Sequence, residues 1–207
     1  MAFRFLTLIL AAATAIVFIA QGIIPGLTDS LVLVSGEAAG RPWILVTSIF
    51  LHGSLSHLLG NMFALIVFGM VLENIIGSKK FAALYLASGV IASMVSTNFY
   101  ASALGASGAI FGVLGALAAI RPRLIVWTYG VPMPMVAATA FWFLLDIAGT
   151  FYPSSTANMA HIAGLLFGVF AGFAVLSKYR ERFKKSKGRR TQLVSDKEFI
   201  EWEDGRM

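Results

Sequence analysis

Ser107 and His161 are the residues in this sequence best suited to nucleophilic catalysis. A hydroxyl is a weak nucleophile until a neighbouring base takes its proton, and both residues lie in glycine-rich apolar stretches. Ser107 stands in Gly105-Ala-Ser-Gly108, followed by Gly112, Gly115 and Ala119 on one helical face; His161 shares a face with Gly164, Gly168 and Gly172. Small residues at helical intervals let two backbones approach closely, which brings the hydroxyl within hydrogen-bond reach of the imidazole. Either residue alone reads more simply as packing, the serine as a small spacer and the histidine as an interhelical hydrogen-bonding group. The chemistry rests on the pair.

Acyl transfer also needs donors for an oxyanion. His57 and Asn61, spaced i and i+4, project from one helix face at nearly the same depth, and the Asn61 amide is a competent donor. The Ser107 backbone N–H is a second candidate, because unpaired N–H groups and the helix dipole favour negative charge in a first turn. Glu73, roughly 18 Å further along the helix axis than Asn61, is too deep for that chemistry and reads as a cap or as an ion-pair partner of Lys79 or Lys80. Asp146 is the one acid near the histidines, a candidate to orient His161, but nothing in the sequence fixes its facing. There is no cysteine and no HExxH, so thiolate chemistry and the zinc-peptidase motif are excluded. No metal or cofactor is expected.

The elements that must position these groups are membrane helices. Of the 207 residues 58% are hydrophobic and 13% charged, against roughly 45–50% and about 25% in a soluble domain. Sixteen of the 26 charged residues fall after residue 177, which predicts a membrane body over 1–177 and a charged tail over 178–207. The basic run at the start of that tail suits anionic lipid headgroups rather than nucleic acid. About 20 apolar residues cross a bilayer, and six stretches approach that length: 4–24, 55–76, 80–98, 104–120, 124–148 and 157–176. The first is longer than the apolar core of a signal peptide and reads as an uncleaved helix. The fourth is short and rich in glycine and alanine, as suits a central helix shielded by the others.

Lys and Arg concentrate on the cytoplasmic side of membrane proteins. Arg4, Lys79 with Lys80, Arg121 with Arg123, and the basic tail all fall on one side of a six-span chain, so both termini are expected in the cytoplasm. On the opposite side lies a long loop, 25–54, whose second half is apolar but too short to cross, with Trp43 as its boundary anchor. The second, fourth and sixth spans all begin at that outer face, so His57, Ser107 and His161 share one layer near it.

These residues resemble the rhomboid family. The matching signatures are His52-x4-His57-x3-Asn61, Gly69-x3-Glu73, Gly105-x-Ser107-Gly108 and Ala160-His161-x2-Gly164. The resemblance implies an all-α, six-transmembrane-helix bundle. It also implies a serine–histidine dyad without an acidic third member, hydrolysing a peptide bond in or near the transmembrane segment of another protein. By that resemblance Ser107 is nucleophile, His161 general base, His57 and Asn61 oxyanion donors and His52 structural, while helix 5 with the loop after it gates the substrate. Two departures stand out. Trp43-Ile44 replaces the family's Trp-Arg, with Arg41 nearby, and Phe111 replaces a tyrosine that stacks on the histidine. A prokaryotic plasma membrane, with the site near the extracytoplasmic face, fits the charge pattern. The alternative is a transporter or channel with a polar path lined by His57, Asn61 and His161.

Overall fold

A computed structural model describes residues 5–152 and 156–188. Six long helices dominate: α1 (Leu6–Ile23), α2 (Leu55–Ile76), α3 (Ser78–Ser96), α4 (Ser107–Ile120), α5 (Met135–Gly149) and α6 (Asn158–Gly188). α1, α2 and the Asn158–Ser177 part of α6 are each long and apolar enough to cross a membrane, while α4 and α5 are apolar but shorter. α4 is the core of the bundle, buried on all sides from Gly108 to Ile120 except at Phe111. Elsewhere apolar side chains such as Ile16, Phe63, Leu144 and Phe170 are more than 60% exposed, the pattern of helices that face lipid.

Helix boundaries differ from expectation at three places. α4 starts at Ser107 rather than 104, because Gly105 has φ +126° and cannot belong to a helix. α5 starts at Met135 rather than 124. Residues 125–134, apolar enough to pass for helix, instead form an antiparallel hairpin of β3 (Ile125–Thr128) and β4 (Val131–Pro134). Tyr129 and Gly130 both have positive φ at its tip, the geometry that a tight two-residue hairpin requires, and Pro132 and Pro134 oppose helix there. α6 continues to Gly188 instead of ending near 176, so the beginning of the basic tail is helical. Arg4 and the acidic end of the tail lie outside the described residues.

The long outer loop is folded onto the bundle. Leu33–Val34 (β1) pairs with Ser102–Ala103 (β2), and short helical turns at Leu27–Leu31 and Ile44–Thr47 surround them. Leu33, Ile44, Ile49 and Leu51 are buried, and Ile49 fills the space left by Gly89 on α3. Arg41 pins this loop: its guanidinium pairs with Glu37, donates to the Asp29 and Ser30 carbonyls and stands 5.9 Å from the Trp43 ring centre. Ile44, where the family has arginine, is wholly buried.

Glu73 is a cap. Its carboxylate accepts the Leu6 and Thr7 N–H groups at 3.1 and 2.9 Å and the Thr7 and Ser78 hydroxyls at 2.7 and 2.6 Å. Gly69, one turn earlier in a π-helical segment (Leu65–Gly69), lets Thr7 approach: a Cβ there would stand 2.9 Å from the Thr7 methyl. Glu73→Ala leaves the buried Thr7 N–H and the half-buried Leu6 N–H of α1 without their acceptor, which costs about 1–3 kcal/mol. A lowered thermal midpoint in detergent is the expected result.

Candidate active site

The two glycine stripes meet. A methyl group at Gly164 would stand 2.0 Å from the Gly108 carbonyl oxygen, one at Gly168 1.9 Å from that of Gly112, and one at Gly115 2.2 Å from that of Leu165. The backbones of α4 and α6 are therefore in direct contact over two turns, an approach that only glycine permits.

This contact sets the geometry at its end. Ser107, the first residue of α4, and His161, in the first turn of α6, lie 2.8 Å apart between Oγ and Nε2. His161 Nδ1 stands 3.0 Å from Asp146 Oδ1 on α5. A carboxylate accepts, so Nδ1 carries the ring proton and Nε2 offers its lone pair to the Ser107 hydroxyl. Phe111, one turn after Ser107, stacks on the imidazole with ring centres 4.2 Å apart and planes 10° from parallel. A phenyl ring thus makes the stacking contact for which the resemblance implies a tyrosine.

His57 and Asn61 come together at Gly105, two residues before Ser107. A side chain at 105 would meet His57 Cε1 at 2.7 Å and Nε2 at 2.9 Å, with Asn61 Nδ2 at 3.7 Å. Gly105 is thus required twice, by its φ and by the two side chains that crowd it. Its N–H donates to the Ser48 carbonyl at 2.9 Å, which ties the loop before the nucleophile to the long outer loop.

His52 supports this layer from behind. Asn61 Nδ2 has only protons to offer, so His52 Nε2, 2.8 Å away, is the acceptor and the imidazole is neutral. Burial, and then the neighbouring His57, lower the His52 pKa from 6.5 to about 4, which agrees. The pair commits one Asn61 amide proton and leaves the other for a second acceptor. The His57 ring meets His52 edge-on at 4.9 Å.

Gln21, near the end of α1, was not among the expected site residues. Its amide oxygen accepts the His52 N–H at 3.0 Å and its nitrogen donates to the His52 carbonyl at 3.3 Å, holding His52 by both backbone groups. The available signal was an uncharged amide in an otherwise apolar span, at the same end as His57. Ser48, Ser93 and Ser96 line a cavity of about 30 Å³ beside Ser107, room for a water. No spacing in the sequence marks these three. Among the described residues no group of His and acidic side chains is arranged to hold a metal.

Comparison with known sequences gives the family. Residues 39–178, the part that contains every residue of the site except Gln21, match the model of the Rhomboid domain. RHOMBOID-like protein 5 of Arabidopsis thaliana is 36% identical over 66% of this chain and 45% of its own length. Rhomboid protease GluP of Bacillus subtilis is 38% identical over 67% of this chain and 27% of its own. The chain thus spans less than half of either relative. The rhomboid protein YdcA of Bacillus subtilis is 32% identical over 72% of this chain and 74% of its own length. With a family model covering most of the sequence and apolar helices to match, this multi-pass membrane protein belongs to the rhomboid family.

Proposed function

We propose that this chain is an intramembrane serine endopeptidase in which Ser107 is the nucleophile and His161 the general base. The observation that carries this reading is the 2.8 Å contact between Ser107 Oγ and His161 Nε2 at the beginnings of two helices in backbone contact. Ser107 Oγ attacks the scissile carbonyl carbon as its proton passes to His161 Nε2, and that proton then goes to the leaving amine nitrogen when the C–N bond breaks. Water, deprotonated by His161, releases the acyl group. The Asn61 amide, His57 Nε2 and the Ser107 N–H are the proposed donors to the oxyanion. Asn61→Ala is expected to lower kcat by about 10- to 1000-fold; an unchanged rate removes Asn61 from the site.

Six crossings with both termini in the cytoplasm follow from the Lys and Arg distribution. In that orientation the catalytic layer lies near the extracytoplasmic face of a plasma membrane, the 178–207 tail is cytoplasmic, and the substrates are membrane proteins with a transmembrane segment. Helix α5 and the loop after it are the proposed gate. α5 meets α2 through an edge-on Phe68–Trp142 pair, ring centres 5.9 Å apart, a contact that would part in such a gate. A transport path lined by His57, Asn61 and His161 is disfavoured, because these side chains converge on Gly105 and Ser107 at one end of the bundle. Purified protein incubated with a single-pass membrane substrate should give one cleavage near the outer boundary, insensitive to chelators. Cleavage that requires a divalent metal, or that survives Ser107→Ala, contradicts this function.

A further inference from the structure

We propose that Asp146 is the positioning residue of a Ser107–His161–Asp146 triad, so that this chain departs from the dyad implied by its family resemblance. The inference rests on the serine-protease reading above and concerns the same site. Asp146 lies on α5 among side chains that face outward: Leu144, Leu145 and Ile147 are exposed, whereas Asp146 is 6% exposed. Its Oδ1 is 3.0 Å from His161 Nδ1, and its Oδ2 is buried with no hydrogen-bond partner. A carboxylate in a membrane helix is costly and usually has a function. What its position does supply is an acceptor on the side of the imidazole opposite Ser107.

Three constraints then act on one ring. Phe111 covers its face at 4.2 Å, Ser107 Oγ meets Nε2, and Asp146 holds the proton on Nδ1. With the proton held there, Nε2 is the basic nitrogen and is aimed at the serine. As the Ser107 proton moves to Nε2 the ring becomes an imidazolium, and its Nδ1 proton stays on the ring beside the carboxylate. In a site shielded from water a charge at that distance stabilises the imidazolium far more than it would in bulk solvent. Asparagine at 146 has nearly the same shape but can donate to Nδ1, which leaves the proton on Nε2 and removes the base.

The test compares full-length wild type, Asp146→Asn, Asp146→Glu and Ser107→Ala, each reconstituted in lipid vesicles with a single-pass membrane substrate. Asp146→Asn should lower kcat by at least about 100-fold, with KM within about twofold and the thermal midpoint close to wild type. Asp146→Glu keeps the negative charge and should exceed the asparagine variant by tenfold or more, a rescue that a packing role would not produce. Wild-type kcat in Asp146→Asn, or equal rates for the asparagine and glutamate variants, overturns the assignment. Ser107→Ala separates the two claims. If it is inactive while Asp146→Asn is unaffected, only the triad fails; if it remains active, the serine mechanism itself fails.

Discussion

Ser107→Ala should abolish the proposed peptide cleavage, with a loss on the order of 10⁶ in kcat, as when the nucleophile is removed from a soluble serine protease. The size of the effect follows from what remains. Without Oγ no acyl intermediate can form, and the Asn61, His57 and backbone donors would have only a water to assist, with no group holding it against the scissile carbonyl. The substitution removes one oxygen from the end of α4 and leaves the stripe Gly108, Gly112 and Gly115 untouched, so the variant should fold as wild type. Cleavage measured by gel with the purified variant in vesicles should be at background, while its thermal midpoint remains within a degree or two.

Gly168→Leu should do comparable damage by a different route. A Cβ at 168 would stand 1.9, 2.6 and 2.7 Å from the carbonyl oxygen, carbonyl carbon and Cα of Gly112. All three are backbone atoms, so no side chain can swing aside and the helices must part. Overpacking costs roughly 1–3 kcal/mol where side chains can adjust, and this contact should exceed that range. Parting the helices also separates Ser107 from His161, which lie at the end of the same seam, so activity should be lost even in the fraction that stays folded. Gly60→Ala is the control, since nothing lies within 4 Å of its Cβ position; it should leave stability unchanged or raise it by up to about 1 kcal/mol. A Gly168→Leu protein with wild-type midpoint and turnover would mean that α4 and α6 do not pack along this face.

The seam and the layer of polar groups were legible in the sequence for one reason. Both depend on helical spacing, and spacing survives without coordinates: Gly164 and Gly168 opposite Gly108 and Gly112, His57 one turn from Asn61. The hairpin at 125–134 was hidden because hydropathy does not distinguish an exposed apolar strand from a helix. Its true signals were local, the Tyr129-Gly130 turn and the prolines at 132 and 134. The start of α4 was misplaced by three residues because an apolar Gly-Ala-Ser sequence gives no warning that Gly105 takes a positive φ. Asp146 was visible as an acid near the outer end of a helix, but its contact with His161 depends on the rotation of α5 about its axis. Nothing in the pattern of α5, apolar on every face, fixes that rotation. Glu73 was legible as a cap or an ion-pair partner, although its partners on α1 were not, since they lie more than 60 residues away in the chain.

The most direct measurement of the central claim is covalent labelling by a fluorophosphonate, which reports an activated serine whatever the physiological substrate is. The wild-type protein in detergent should take up one label, located by mass spectrometry on the peptide that contains Ser107. Ser107→Ala should take up none, and His161→Ala should be labelled far more slowly. Labelling of Ser107→Ala at the wild-type rate, or a folded wild-type protein that takes no label, would contradict a serine nucleophile activated by His161.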